Sequence, residues 1–491
     1  MKRYDLLVIG SGPAGHHAAI QGAKLGKSVV VVEAQPRVGG AGLNTGTIPS
    51  KTLREGVLAL RRARSWESSL PGSPERWDEA MRALQVRCRH VIDQEVEVYR
   101  AQFARNRVEV LNGLASFVNP HRIRIEGPHY ETEVEPAAIV IAAGSVPARS
   151  ERVRIQLPSV LDTDSIFSLT RLPRSMIVAG GGVVGVEYAC MFAALGVAVT
   201  VVDLRTRLLE FADAEIVEAL CYQMRDAGIA LRLGEELERV TPLPGGGVDA
   251  VLKGRKQLFA DTLLYAVGRR GNTASLNLAG AGLEADERGR IPVDTRYRTR
   301  VPHVYAVGDV IGFPGLASSA MAQGRLAACD AFDHPAAGER RLFPYGIYTI
   351  PEISFVGQTE AELTAAGVPY EAGIARYREI ARGQILGDVG GRLKLLFHRE
   401  TGQLLGVHII GEGASELVHI GQAVLTFGGT IDYFLDSVFN YPTLAECYQV
   451  AALAVVNRLA QARTPRYAAV DGESGERQPA RVLADADTAC V

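Results

Sequence analysis

A chain of 491 residues is longer than one hydrophobic core organises, so about three domains are expected. Hydrophobic residues at 47%, charged residues at 22% and a formal net charge of −2 describe ordinary globular protein, and they argue against nucleic acid or an anionic membrane as a partner. The six cysteines, at positions 88, 190, 221, 329, 447 and 490, have no C-x-x-C or metal-ligand spacing, so they read as core thiols and no metal site is expected.

The chain opens with Met1-Lys2-Arg3 and the apolar run Leu6 to Ile9, which ends in glycine too soon for a signal peptide and reads as a first strand. Gly10-Ser11-Gly12-Pro13-Ala14-Gly15 follows and opens a helix, and Glu33 closes the next strand, Ser28 to Val32. This is a dinucleotide fingerprint in full context: glycines make the tight turn and let backbone N–H groups approach a pyrophosphate, while the acid accepts ribose hydroxyls. A charged helical segment then runs from Pro74, with Ser73 as its N-cap, to about residue 106, and reads as a solvated or partner-facing insert.

Near Met176 the strand-turn-helix pattern recurs. Gly180-Gly181-Gly182-Val183-Val184-Gly185 follows the strand Met176 to Ala179, and Asp203 ends the strand Val197 to Val202, so a second dinucleotide is expected. Asp203 favours the free 2′-hydroxyl of NAD; Arg205 and Arg207 either clamp the 2′-phosphate of NADP or are solvated loop arginines, the second being the preferred reading. The uncharged stretch Tyr188 to Val202 is shorter than the roughly 18 residues a membrane helix needs, and a soluble, cytoplasmic protein is expected.

After Phe343 the pattern changes to strands (Ile347 to Val356, Arg392 to His398, Leu404 to Ile410) and helices (Ala414 to Phe427, Leu444 to Ala460), a mixed third domain. From Arg463 the composition turns polar, and a tail without fixed structure is expected.

The segment Gly39-Gly40-Ala41-Gly42-Leu43-Asn44-Thr45-Gly46-Thr47-Ile48-Pro49-Ser50-Lys51 resembles the active-site segment of the pyridine nucleotide-disulfide oxidoreductases of the dihydrolipoamide dehydrogenase type. Further matches are Ala142-Ala143-Gly144-Ser145, Ala266-Val267-Gly268-Arg269 and Thr299 to Asp309. Within that family the soluble Si-specific transhydrogenase branch is the most similar, through Gly46 to Lys51, Gly346 to Glu352 and Phe439 to Glu446. The resemblance implies an α/β fold with two Rossmann-like domains, for FAD (1–155 and 275–343) and NAD(P) (156–274). It also implies a C-terminal α+β dimerisation domain (344–462) and a homodimer, ahead of the tail 463–491.

It also implies roles. Gly10, Gly12, Pro13, Ala14, Gly15, Glu33, Gly39, Gly40, Thr47, Ala143, Gly144, Asp309 and Ala317 would contact FAD, with Asp309 on the ribityl chain; Gly180, Gly182, Gly185, Asp203, Arg205 and Gly268 would serve the NAD(P) site. Lys51 and Glu187 would pair beside flavin N5, where a fixed cation favours the electron-rich reduced ring. The family's C-x-x-x-x-C relay is replaced by Gly42 and Thr47, which excludes disulfide exchange by the usual route. Its His-x-x-x-x-Glu base is replaced by Tyr441 and Glu446; tyrosine, titrating near about 10, is a poor base at neutral pH, so Tyr441 either contacts an acceptor or fills an interface.

The expectation is therefore hydride transfer between nicotinamide nucleotides through FAD. The alternatives are a quinone or general acceptor reductase, with small Gly42 leaving room for a flat acceptor, and a degenerate flavin-binding subunit of a larger assembly.

Overall fold

The computed structural model describes residues 2–66, 74–149, 153, 158–169, 171–312, 314–335 and 342–463; Ser73, Cys490 and the expected tail beyond Arg463 lie outside them. The first apolar run becomes the centre of a sheet. Its strands are Lys2–Ile9 (β1), Val29–Glu33 (β2), Glu109–Asn112 (β3), Leu114–Asn119 (β4), Arg122–Glu126 (β5) and Glu131–Ile141 (β6), in the order β3-β2-β1-β6-β5-β4, and Val304–Ala306 pairs β6 as a seventh. Alternation along β1 sends Leu6 and Val8 to one core and Leu7 and Ile9 to the other, which is why the run carries no polar residue after Asp5.

Four helices accompany this sheet: Pro13–Lys24 (α1), Gly40–Asn44 (α2), Thr47–Trp66 (α3) and Pro74–Arg105 (α4). The last corrects the reading of 74–106 as a solvated or partner-facing insert in that one of its faces is core. Met81, Leu84, Cys88, Ile92, Val96, Tyr99 and Phe103 recur at helical spacing and are all buried. Leu84 and Cys88 join the core that contains Tyr188, whereas Ile92 to Phe103 pack into the core under β1. Seven apolar residues spread over more than 20 positions were masked by the charged ones between them.

The chain crosses to a second sheet through Ser145–Pro147 (β7) and Val160–Asp162 (β8). Ser175–Ala179 (β9), Val183–Ala194 (α5), Ala198–Asp203 (β10), Ala214–Asp226 (α6) and Ala230–Leu233 (β11) follow. A three-stranded antiparallel sheet, Leu237–Pro242 (β12), Val248–Leu252 (β13) and Gln257–Ala260 (β14), precedes Thr262–Tyr265 (β15), giving a parallel second sheet in the order β11-β10-β9-β15-β8. Arg269–Gly271 (β16) pairs antiparallel with β7, so a two-stranded ribbon marks both crossings. Val304–Ala306 (β17) and Ala317–Ala331 (α7) then return to the first sheet, where α7 packs on α1 so closely that a Cβ on Gly324 would lie 2.0 Å from the Ala14 carbonyl oxygen.

The C-terminal part contains Tyr345–Ile347 (β18), Ile353–Gly357 (β19), Glu360–Ala365 (α8), Tyr370–Arg376 (β20), Ala381–Leu386 (α9), Arg392–His398 (β21), Leu404–Ile410 (β22), Ala414–Thr426 (α10), Asp432–Asp436 (α11) and Glu446–Arg463 (α12). Its sheet runs β18-β19-β22-β21-β20. The single strand expected over Ile347 to Val356 is two paired strands, with residues 348–352 outside the ladder, to which Pro351 has no N–H to donate. Those residues reach the candidate site. No helix among the described residues is long and apolar enough to cross a membrane.

Candidate functional site

The two glycine fingerprints have the same geometry. Gly10 and Gly180 have φ of +98° and +109°, and a Cβ on either would lie 2.4 Å from the carbonyl oxygen of Ala142 or Ala266. Gly15 and Gly185 let each helix approach its turn, whereas a Cβ on Gly182 would meet nothing within 4 Å and one on Gly12 nothing nearer than 3.9 Å. The middle glycine therefore faces open space at a helix start that no side chain caps, which fits a pyrophosphate on both α1 and α5. At the first site the starts of α1 and α7 converge on Gly308, whose added Cβ would lie 3.1 Å from that of Ala14 and 3.5 Å from that of Ala320. Ala317, the first residue of α7, follows a Leu316 cap that also supplies no side-chain hydrogen bond.

Glu33 is buried, with one oxygen accepting from Ser11 N (2.9 Å) and Ser11 Oγ (2.5 Å) and the other from Gln35 N (2.9 Å). Ser11 Oγ in turn accepts from Gly39 N at 2.9 Å, which ties the acid to the segment carrying Gly39 and Gly40. A Cβ on Gly40 would lie 2.9 Å from Gly12 Cα, so these two backbones touch. Asp309 accepts from Ser145 Oγ at 2.7 Å. Ser145 is gripped by Arg269, through Nε to Oγ (2.9 Å) and Nη2 to the carbonyl (2.7 Å), and Arg269 reaches Asp164 at 3.0 Å. Ser145 and Arg269 were visible only as members of motifs; their pairing across the β7–β16 ribbon links the turn holding Asp309 to the second sheet. Ala143 and Gly144 lie between β6 and β7, where Gly144 has φ +70°, and Gly268, with φ +138°, precedes β16.

Lys51 and Glu187, 136 positions apart, meet at 2.6 Å, with side-chain exposures of 27% and 4%. Thr47 starts α3, which places Lys51 in its second turn, and Glu187 lies early on α5. The second oxygen of Glu187 accepts from Tyr348 N at 2.8 Å, and Lys51 Nζ stands 4.7 Å from the centre of the Tyr348 ring. One turn beyond Lys51, buried Arg54 donates to the Thr349 carbonyl (3.0 Å) and pairs with Glu352 at 3.5 Å. Burial pushes the Glu352 carboxyl up, with Arg54 opposing it. One cation is thus held by three parts of the fold: α3, α5 and the loop between β18 and β19. Tyr348 and Arg54 were not singled out from the sequence, because only the tertiary structure brings 348 beside 51.

Gly42 and Thr47 stand where the family has its cysteines. A Cβ at Gly42 would lie 3.0 Å from Pro13 Cγ, so Gly42 lets α2 pack on the start of α1. The five described cysteines are free. Burial pushes the Cys88 thiol up to about 11 and those of Cys190 and Cys447 to about 12, which keeps them protonated and unreactive.

Tyr441, preceding a cis proline, is 75% exposed. Glu446 accepts instead from Thr443 N (3.3 Å) at the start of α12, so within one chain the two do not form a pair. Arg205 lies exposed in the loop after β10, as the reading of a solvated loop arginine has it, but its guanidinium also forks onto Asp203, with Nε to Oδ1 at 3.0 Å and Nη2 to Oδ2 at 2.8 Å.

Comparison with known proteins agrees with this geometry. Residues 4–324 match the model of the pyridine nucleotide-disulphide oxidoreductases, and 343–452 that of their dimerisation domain. A protein of Mycobacterium tuberculosis named soluble pyridine nucleotide transhydrogenase is 52% identical over 463 residues, 94% of this chain and 98% of that one. One of the same name from Hahella chejuensis is 46% identical over 93% of this chain and 99% of its own. Among solved structures, the HOCl-induced flavoprotein disulfide reductase RclA from Escherichia coli matches with a TM-score of 0.82 and 27% identity over 92% of this chain and all of that one. LpdA from Mycobacterium tuberculosis matches with a TM-score of 0.84 and 25% identity, covering 92% of this chain and 99% of its own. The chain belongs to the pyridine nucleotide-disulphide oxidoreductases, flavin-dependent enzymes that use FAD and NAD(P)H.

Proposed function

We propose that the chain is a transhydrogenase that moves hydride between NAD(H) and NADP(H) through bound FAD, without a protein disulfide. The observation that carries this reading is the intact Lys51–Glu187 pair beside a segment whose cysteine positions hold Gly42 and Thr47. The curated relatives named above bear the name of the same activity.

FAD, when bound, supplies the reversible two-electron centre. Gly10, Gly12, Pro13, Ala14 and Gly15 would hold its pyrophosphate, Glu33 its ribose, and Asp309, steadied by Ser145, its ribityl chain; Gly39, Gly40, Thr47, Ala143, Gly144 and Ala317 would line the rest. Gly180, Gly182, Gly185 and Gly268 would hold the nicotinamide nucleotide beside Asp203. Lys51 provides fixed positive charge, and Glu187, hydrogen-bonded on both oxygens, holds that charge in place before substrate arrives. Nucleotide exchange at one site gives a ping-pong cycle.

The assembly proposed is a cytoplasmic homodimer, with the domain limits given above. Phe427, Tyr433, Val438, Tyr441, Leu453 and Val456 are all exposed apolar residues of the C-terminal part, which supports it, and the dimer would carry Tyr441 towards the neighbouring flavin site. The test is anaerobic. NADH should bleach the flavin absorbance of the purified holoprotein, and NADP⁺ should restore it. Bleaching without recovery, combined with steady turnover on a benzoquinone, would replace this reading with an acceptor reductase.

A further inference from the structure

The end of β10 presents a conflict. A carboxylate there suits the 2′-hydroxyl of NAD and repels the 2′-phosphate of NADP, yet the proposed reaction passes both nucleotides through one site. In the structure Asp203 is saturated. Its Oδ1 accepts from Arg205 N (2.7 Å) and Nε (3.0 Å), and its Oδ2 from Arg205 Nη2 (2.8 Å) and Gly181 N. An ionised carboxylate offers about four acceptor positions, so none remains for a ribose. Two of the four donors are backbone N–H groups that cannot leave; the other two belong to one side chain, 41% exposed over a carboxylate that is only 6% exposed.

We infer that Arg205 is a movable specificity element that lets this site accept both dinucleotides. With its side chain turned off Asp203, two acceptor positions open for the 2′- and 3′-hydroxyls of NAD(H). With NADP(H) the same guanidinium forks onto the 2′-phosphate and offsets its repulsion by Asp203. Gly181 N and Arg205 N hold the carboxylate still in either case. The surroundings favour a phosphate: beyond Thr206 lies a cavity of about 310 Å³ whose lining includes Arg207 and Arg225, with Glu218 as its one carboxylate.

The inference takes its need for two nucleotides from the transhydrogenase reading, but its test uses no turnover. The full-length holoprotein is titrated calorimetrically with 5′-AMP and with 2′,5′-ADP, which carry the adenosine ends of NAD and NADP. The unaltered protein should bind both. Arg205→Ala should weaken 2′,5′-ADP about tenfold or more while 5′-AMP binds as well or more tightly, because a competitor for Asp203 has gone. Asp203→Asn should weaken 5′-AMP without weakening 2′,5′-ADP. A variant that merely misfolds also loses its bound flavin absorbance, which separates it from an equal loss at the site. Equal losses, no change, absence of 2′,5′-ADP binding to the unaltered protein, or a loss confined to Arg207→Ala/Arg225→Ala would overturn the inference. If Arg205 behaves as described but NADP⁺ fails to reoxidise the flavin, the transhydrogenase reading falls and the role of Arg205 stands.

Discussion

Lys51 draws its position from neighbours that are distant in sequence. Its charge is shared between one Glu187 oxygen and the face of Tyr348, and the other Glu187 oxygen holds the Tyr348 backbone, so removing any of the three loosens the other two. Lys51→Met and Glu187→Gln should each slow flavin reduction by NADH by about a hundredfold in stopped-flow measurements, the scale of losing one preorganised electrostatic group. Tyr348→Ala acts through the lysine and should lower the flavin midpoint potential in the same direction as Lys51→Met, by less. An unchanged potential would make Tyr348 mere packing. Asp203 also carries a pH signature. Burial pushes its carboxyl up, but the Arg205 guanidinium and the N–H groups of Arg205 and Gly181 bring it below its ordinary value. The stability it contributes is therefore complete above the ordinary carboxylate range and lost as pH falls through the depressed pKa.

Among the elements, α1 and α4 illustrate what a period reveals and hides. The start of α1 is written in its glycines; its far face is not. His16 lies there, buried, stacked on Tyr99 at 4.0 Å with Phe103 at 5.0 Å, and neither ring nitrogen has a hydrogen-bond partner. Burial pushes it down to about 4 from an ordinary value near 6.5, with His17 adding to the effect. It stays neutral in the fold while the unfolded chain takes up a proton, so stability should fall as pH drops from about 6.5 towards 4, by about 3 kcal/mol in all. Thermal unfolding of His16→Phe should lose less between pH 7 and about 5 than the unaltered protein; parallel curves would contradict this.

At the scale of the whole molecule, the second sheet is tied to the C-terminal sheet by one buried lysine. Lys394, fully buried on β21, contacts Asp213 at 3.0 and 3.1 Å, Glu215 at 3.2 Å and Glu360 at 2.9 Å. Asp213 also caps α6, so the tie runs straight into the second nucleotide unit. Burial pulls the ammonium down, and Glu360 and Asp213 more than reverse it. Lys394→Met leaves these carboxylates without their cation and should cost about 3–5 kcal/mol in reversible unfolding. The proposed dimer belongs to this scale too. Val438→Asp with Leu453→Asp should shift the protein towards monomer in sedimentation and reduce activity with it; an unaltered dimer would move the interface elsewhere.

The glycine turns, the acids closing β2 and β10 and the missing cysteine pair were legible in the sequence alone, since each is a local demand that a backbone turn or a reacting atom places on one residue type. Gly10 and Gly180 illustrate it: φ near +100° and a carbonyl 2.4 Å from any Cβ admit nothing else. Tertiary structure alone decided which charges meet. The 136 positions between Lys51 and Glu187, the 181 between Asp213 and Lys394, and the turn that brings Tyr348 to the site have no period or spacing to betray them, because side chains become neighbours only when whole sheets dock. Even two positions apart, Arg205 could reach into solvent alone or also fork onto Asp203, and a hydrogen bond from Gly234 N, just past β11, to the Arg205 carbonyl accompanies the second arrangement.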